Sequence, residues 1–232
     1  MRKLFVVVSL AAGLFACAKK EEAPAPVAAA PAATPAPAAA VQPTALSPEL
    51  QARLVRAHSP VLGPANAPVT IVEFLDPACE ACRAYAPVVK QVMFLYPSEV
   101  RVVVRFAAFH EGSDQAIRLL EAARQQGKFE AVMTALFDGQ DDWASHHAPK
   151  PERAWELAAA AGLNLPKARK DAAAPAADAL LRQEHEDLVA LQVARTPTFF
   201  VNGKLLTDFG AEQLMALVAA EVKAVAAATP SN

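Results

Sequence analysis

A pair of cysteines at the junction of a strand pattern and a helix pattern is the feature that most limits the folds open to this chain. The stretch "APVTIVEFLD" is rich in Val, Ile and Phe and too short for a typical helix, which predicts a buried strand at about residues 69–75. The next stretch, "CEACRAYAPVVKQVMFLYP", has apolar residues at helical spacing, which predicts a helix of about four turns, kinked at Pro87 and ending near Pro97. A second apolar strand, "EVRVVVRFAAF", follows. Strand, helix and strand in this order predict a right-handed βαβ unit in a parallel sheet.

The rest of the pattern predicts a helical block and then a hairpin. From about Ser113 to Val193 the pattern is helical, with helix breaks at Gly127 and Gly162. The stretch "TPTFFVNGKLL" then predicts two strands joined by a turn at Asn202-Gly203, and "GAEQLMALVAAEVKAV" predicts a closing helix. A short helix in "SPELQARLVRAH" precedes the first strand.

The N-terminal segment has the pattern of a bacterial export signal. Arg2 and Lys3 precede "LFVVVSLAAGLFA", an apolar run that is short for a membrane span. The stretch "LFAC" at Cys17 resembles the lipobox of lipoproteins, which implies a lipid anchor on this cysteine, and Ala18 favours the outer membrane. The alternative is a plain secretory signal in which Cys17 is incidental. The predicted regions are a lipoprotein signal peptide at 1–16, an Ala/Pro-rich tether at 17–46 and a folded domain at 47–228.

Counting cysteines limits the chemistry of the pair. The chain has three cysteines, and assigning Cys17 to lipid leaves Cys79 and Cys82. A four-cysteine zinc site is then impossible within the chain, and no other pair exists for a disulfide scaffold. If the helix begins at Cys79, unpaired backbone N–H groups and the helix dipole stabilise a thiolate there, and Cys82 lies one turn later on the same side. The pair predicts a redox site in which Cys79 forms the mixed disulfide and Cys82 resolves it.

Two stretches, "GPANAPVTIVEFLDPACEAC" and "ARTPTFFVNGK", resemble the two halves of the active site of DsbA-like thioredoxin-fold disulfide oxidoreductases. The resemblance covers residues 58–226 and identifies the chain with a bacterial lipoprotein member of that family. It implies an α/β thioredoxin fold in which a βαβ unit and a ββα unit form a central mixed sheet. The helical block becomes an insertion at about 111–193.

The resemblance also implies roles for residues around the cysteines. Glu73, in the apolar strand, matches a buried acid whose pKa is raised by desolvation and which exchanges a proton with Cys82 through water. The alternative is a glutamate on a solvated strand face. Pro197, in "RTPT", matches a cis-proline that faces the cysteines, the alternative being a trans proline that begins a strand. The backbone of Thr196 is expected to pair with an extended substrate segment.

The dipeptide between the cysteines, Glu80-Ala81, departs from the family pattern and is expected to tune the redox chemistry. Familiar dipeptides there are Pro-His, Gly-Tyr and Gly-Pro, and a histidine supports the thiolate whereas a glutamate repels it. We expect Glu80 to raise the pKa of Cys79, and to make the disulfide less oxidising than in strongly oxidising members. The effect is modest if Glu80 is exposed and screened by salt. The direction of electron flow therefore stays open.

Three histidines raise the question of a metal site. His146 and His147, in "WASHHAPKP", would complete a zinc or copper site if they lay beside the cysteines, but their proline and polar neighbours favour a structural or solvated pair. His110, in "FHEGS", follows the second strand and either approaches the cysteines or leads into the insertion. We predict no metal and no cofactor besides a redox-active Cys79–Cys82 disulfide.

The sequence thus predicts a protein disulfide oxidoreductase that faces the periplasm from a membrane of the bacterial envelope. It is expected to be a monomer that acts on exported proteins with thiols or disulfides, and the sequence leaves its membrane redox partner unknown. A net charge of −2 offers no bulk basic patch for nucleic acid. Two alternatives remain: an envelope reductase or isomerase kept reduced by a membrane partner, and a lipoprotein whose thiols bind copper or zinc.

Overall fold

A computed structural model describes residues 46–228 of the chain. The predicted signal peptide, the lipid on Cys17 and the tether as far as residue 45 lie outside the described residues, so these assignments stay predictions. None of the helices within the described range is long and apolar enough to cross a membrane.

The described residues form one mixed sheet of five strands. The strands are β1 Val61–Leu62, β2 Val69–Leu75, β3 Val100–Phe106, β4 Thr198–Val201 and β5 Lys204–Leu205. Their order is β1-β3-β2-β4-β5, with β2 parallel to β3 and antiparallel to β4. The predicted first strand, the parallel pair and the hairpin are confirmed. The sequence does not predict β1, because two residues carry no alternating pattern and pair only by addition to the edge of β3.

Nine helices lie in the described part of the chain. They are α1 Pro48–Leu54, α2 Glu80–Leu95, α3 Ser113–Arg124, α4 Phe129–Asp138, α5 Gln140–Trp143, α6 Pro151–Ala160, α7 Leu165–Ala172, α8 Pro175–Ala190 and α9 Ala211–Ala228. The predicted breaks are confirmed, since Gly127 and Gly162 follow α3 and α6 with φ of 66° and 86°. Pro87 lies inside α2 as predicted, and its kink stays a prediction. The sequence does not predict α5, a single turn, or α7, because the residues that α7 buries are alanines.

The central strand β2 separates two apolar cores. Ile71 and Leu75 face the larger core, which includes residues of α2, α3, α4 and α9. Val72 and Phe74 face the smaller core, which includes residues of α1 and α8. Since successive side chains of a strand point to opposite faces, Glu73 faces the larger core on the side of α2.

A buried ionic network holds α1 and α8 against the other face of the sheet. Arg105 of β3 is 0% exposed, and its guanidinium lies 3.0 Å from Glu184 and 2.7 Å from Asp187 of α8. It also donates to the backbone oxygens of Arg53 and Leu54 at the end of α1. The buried charge is therefore paired and its N–H groups are bonded, as burial of an ion requires.

Candidate active site

The two cysteines lie where β2 ends and α2 begins. Cys79 is the N-cap residue of α2 and Cys82 lies in its first turn; both are buried free thiols. A turn at Asp76 places them: the Ala78 amide donates to Asp76 Oδ1 at 2.8 Å, and the Cys79 amide donates to the Asp76 backbone oxygen at 3.1 Å. No side chain in the described range caps α2, so the amides of its first turn are left for the Cys79 sulfur. The predicted helix start at the first cysteine is confirmed.

The surroundings of the two sulfurs make Cys79 the more acidic thiol. The pKa of Cys79 falls from 9.0 to about 5, chiefly through the hydrogen bond from Cys82 and against the opposing effect of burial. The Thr196 side chain and the backbone amides of Cys82 and Ala81 lower this pKa further. The hydrogen bond with Cys79, burial and the charge of Glu73 raise the pKa of Cys82. Cys79 therefore loses its proton first, which is the order that the nucleophile and resolver roles require.

Glu73 lies in the middle of β2 on the face that α2 covers. It is 5% exposed, and burial raises its pKa to about 8. The predicted buried acid is confirmed, and the alternative of a solvated strand face is wrong. Glu73 lines a mostly apolar cavity of about 540 Å³ between α2 and α4, which Arg83 and Lys90 also line. The cavity has room for a water near the carboxyl group, but the proton transfer to Cys82 stays a prediction.

The loop before β4 packs against Cys79. The Thr196-Pro197 peptide bond is cis, as predicted. The Cys79 Sγ lies 3.5 Å from the backbone oxygen of Thr196, to which the protonated thiol donates. The Thr196 side chain also lowers the pKa of Cys79. The structure thus brings Thr196 to the sulfur, while its pairing with a substrate segment stays a prediction.

Glu80 is paired with the insertion and does not stand alone beside the thiolate. Its Oε1 lies 2.6 Å from Nε2 of His146, and both side chains are about half exposed. The backbone amide of Glu80 lowers the pKa of the Glu80 carboxyl group, and burial opposes this effect. The hydrogen bond from His146 and the charges of His146 and His110 lower the pKa of Glu80 further. A paired carboxylate repels a nearby thiolate less than a free one. The expected effect of Glu80 on the pKa of Cys79 stays a prediction.

The three histidines take different positions. His147 is exposed in the loop between α5 and α6, as expected of a solvated residue. His146, in the same loop, contacts Glu80, so this loop reaches the active-site helix. His110 lies at the site: its Nδ1 is 2.8 Å from Asp76 Oδ2, and its ring centre is 5.7 Å from that of His146. In the described part of the chain, no group of three or more His, Cys, Asp or Glu side chains is placed to hold a metal ion.

Two further residues, Asp76 and Gln140, organise the site and are not among the predicted site residues. Asp76 is fully buried. Gln140, at the start of α5, donates to the backbone oxygens of Pro77 at 2.9 Å and Cys79 at 3.1 Å, and its buried Oε1 has no partner among the described residues. An acid between the strand and the cysteines is a usable signal for Asp76, whereas Gln140 has none because it lies 61 residues from Cys79. The carboxylate of Asp76 accepts hydrogen bonds from the amides of Ala78, Phe109 and His110, the ring of His110 and the hydroxyl of Ser113.

Cys79 is an acidic cysteine at a strand-to-helix junction, and the cis-proline loop before the neighbouring strand β4 faces it. This arrangement defines a dithiol oxidoreductase of the thioredoxin fold. The family model of thioredoxins matches residues 56–220, and the chain belongs to that family. A thioredoxin-like oxidoreductase from Silicibacter pomeroyi DSS-3 is 31% identical; the match covers 75% of this chain and 95% of that chain with a TM-score of 0.63. The alpha-DsbA1 of Wolbachia pipientis shares the fold at 16% identity, covering 78% of this chain and 99% of that chain with a TM-score of 0.66. The predicted thioredoxin fold and the predicted class of thioredoxin-like oxidoreductase are confirmed.

Curated relatives match this chain over a small part of their own length. The Na(+)/H(+) antiporter NhaA 3 of Salinispora tropica is 32% identical over 171 residues, which cover 72% of this chain and 25% of the antiporter. The chain therefore spans about a quarter of the length of that relative. The name antiporter describes that whole relative, and we do not infer ion transport for this chain.

Proposed function

We propose that this protein is a lipid-anchored enzyme of the bacterial cell envelope that exchanges disulfides with exported proteins through Cys79. The observation that supports this proposal is the environment of Cys79. This cysteine is the N-cap residue of α2, its pKa is about 5, and its sulfur contacts Thr196. Such a thiol is mostly thiolate at neutral pH, and the thiolate is the form that attacks disulfides. The Cys79–Cys82 disulfide supplies the redox chemistry without a further cofactor.

The oxidation of a substrate takes two exchange steps. A substrate thiolate attacks Cys79 Sγ of the disulfide, the Cys79–Cys82 bond breaks, and Cys82 leaves and takes a proton from Glu73 through water. A second substrate thiolate then attacks the substrate sulfur of the mixed disulfide and releases Cys79 as a thiolate. The substrate loses two electrons and two thiol protons, of which one replaces the proton lost by Glu73 and the other goes to solvent. With a pKa of about 8, Glu73 holds its proton at pH 7 and can give it to the leaving sulfur.

The acidity of Cys79 favours the oxidising direction over the reductase or isomerase alternative. A stable thiolate stabilises the reduced pair relative to the disulfide, which makes the disulfide a stronger oxidant. Equilibration with a glutathione buffer measures this directly. We expect a reduction potential above about −200 mV, whereas a value near −270 mV, where thioredoxin lies, would favour the reductase.

A trapping experiment tests exported proteins as substrates. The Cys82→Ser variant cannot resolve mixed disulfides, so adducts through Cys79 accumulate in envelope extract. Cys79→Ser is the matched control because it keeps the other cysteine and lacks the nucleophile. We expect adducts that reductant releases, with Cys82→Ser alone. No adducts, or equal adducts with both variants, would contradict exchange at Cys79.

The anchor is supported by "LFAC" at residues 14–17, after a charged and then apolar segment. Metabolic labelling with a fatty acid is expected to mark the wild type and Cys79→Ala, and to leave Cys17→Ala unmarked. Membrane fractionation of the labelled protein then tests the expectation of the outer membrane. Label that persists in Cys17→Ala would contradict the lipid anchor.

A further inference from the structure

Asp76 and His110 form a hydrogen-bonded pair that the exchange steps above do not use. The buried carboxylate oxygen Oδ2 of Asp76 lies 2.8 Å from Nδ1 of His110 and 2.9 Å from its backbone amide. A carboxylate only accepts hydrogen bonds, so Nδ1 carries the hydrogen and Nε2 is the nitrogen that titrates. The His110 side chain is 30% exposed and can exchange this proton with solvent.

The same aspartate contacts both cysteines, which fixes the imidazole relative to the sulfurs. The backbone amide of Asp76 lies 3.5 Å from Cys82 Sγ, and its backbone oxygen accepts the amide of Cys79 at 3.1 Å. The hydroxyl of Ser113, at the start of α3, bonds the other carboxylate oxygen. The turn that carries the cysteines and the connection that carries His110 are thus joined through one side chain.

Charge links His110 to the nucleophile. Burial disfavours the imidazolium, but the hydrogen bond and charge of Asp76, and then the charges of Cys79 and Glu80, give a net rise in the pKa of His110. An electrostatic interaction is mutual, so the imidazolium stabilises the Cys79 thiolate as much as the thiolate stabilises the imidazolium. The largest single cause that lowers the pKa of Cys79 is the hydrogen bond from Cys82.

We propose that Asp76 and His110 are a positioning pair that holds an imidazolium beside Cys79 and supports its thiolate. The proposal rests on the proposed disulfide exchange. It places a positive charge at the site from the β3–α3 connection, while the dipeptide between the cysteines supplies the negative charge of Glu80. The ionisable groups that face His110 are Asp76 from the β2–α2 turn, Cys79 and Glu80 of that turn and α2, and His146 from the α5–α6 loop.

The stabilisation of the Cys79 thiolate by the His110 imidazolium depends on the redox state and on pH. On reduction at neutral pH, the Cys79–Cys82 bond takes two electrons, Cys79 becomes a thiolate and Cys82 binds a proton. His110 then binds an additional fraction of a proton, because the new thiolate favours the imidazolium. Oxidation removes the thiolate and releases this fraction. As pH rises through the pKa of His110, the imidazolium and its support for the thiolate are lost.

The test removes the charge of His110 and keeps a hydrogen-bond donor for Asp76. In the full chain, His110→Asn places an amide nitrogen at the position of Nδ1 without a positive charge, and His147→Asn is the matched control in the exposed loop. Thiolate absorbance of the reduced proteins gives the pKa of Cys79. We expect a rise of about half a unit in His110→Asn, with a threefold shift of the glutathione equilibrium toward the disulfide and no change in His147→Asn. An unchanged Cys79 titration in folded His110→Asn overturns the proposal.

A second measurement uses the wild type and needs no variant to fold. Nuclear magnetic resonance titration of the His110 ring is expected to give a higher pKa in the reduced protein than in the oxidised protein, since only the reduced protein carries the thiolate. Equal values in the two states would overturn the proposal. Neither measurement involves a protein substrate, so a failed trapping experiment with Cys82→Ser and a failed His110 test remain distinct results.

Discussion

Replacing Glu73 with glutamine tests the buried acid that the proposed mechanism needs. Burial raises the pKa of Glu73 to about 8, whereas in the unfolded chain it ionises near 4.5. Between these values the unfolded chain binds fewer protons than the folded one, so the free energy of unfolding falls as pH rises. From about 4.5 to pH 7 the interval is roughly 2.5 units at about 1.4 kcal/mol each, a loss of about 3 kcal/mol. Glu73→Gln cannot ionise and escapes this loss.

Urea denaturation of the oxidised proteins at pH 4 and pH 7 measures the effect, since the disulfide removes thiol titration. We expect Glu73→Gln to gain about 3 kcal/mol relative to the wild type between pH 4 and pH 7. Other groups titrate alike in both proteins and cancel. Glu130→Gln, an exposed glutamate that lines the same cavity, controls for the loss of a carboxyl group. A difference between wild type and Glu73→Gln that stays constant from pH 4 to pH 7 would refute the reasoning, because Glu73 would then ionise alike in both states.

Three further predictions concern other parts of the fold. Glu80→His is expected to lower the pKa of Cys79 in a thiolate titration, and a lower pKa in the wild type would contradict the repulsion assigned to Glu80. Arg105→Met is expected to cost about 3–5 kcal/mol in urea denaturation. Glu184 loses its buried cation and the backbone oxygens at the end of α1 lose a donor, although Asp187 keeps its ion pair with Arg56. Arg83→Met, which breaks the exposed ion pair with Asp141, should cost less than about 1 kcal/mol, and equal losses would argue against the buried network. Gly203→Ala is expected to cost about 1–2 kcal/mol because φ is 80° there, and an unchanged denaturation midpoint would count against that strain.

The parts of the site that the sequence predicts depend on local patterns. An apolar run followed by Cys79 predicts both the strand and the start of α2, because burial and helix capping act over a few residues. A glutamate inside that run predicts the buried Glu73, since the strand is too apolar to be solvated on either face. The dipeptide at Pro197 predicts the loop that meets the cysteines, through its likeness to a family motif.

Partners that are distant in sequence follow only from the tertiary structure. His110 lies 34 residues after Asp76, and His146 lies 66 residues after Glu80, so no local spacing indicates either contact. Gln140 reaches the cysteine turn from the insertion, although a single glutamine on a one-turn helix carries no pattern.

The sequence by itself therefore determined the strand, the helix start at Cys79 and the burial of Glu73, because each depends on its immediate neighbours along the chain. The charges around Cys79 were decided by the tertiary structure. Folding of the insertion places His146 on Glu80, and the strand order places His110 on Asp76. Electrostatic interactions depend on distance in space, and that distance is set by packing and not by position in the chain.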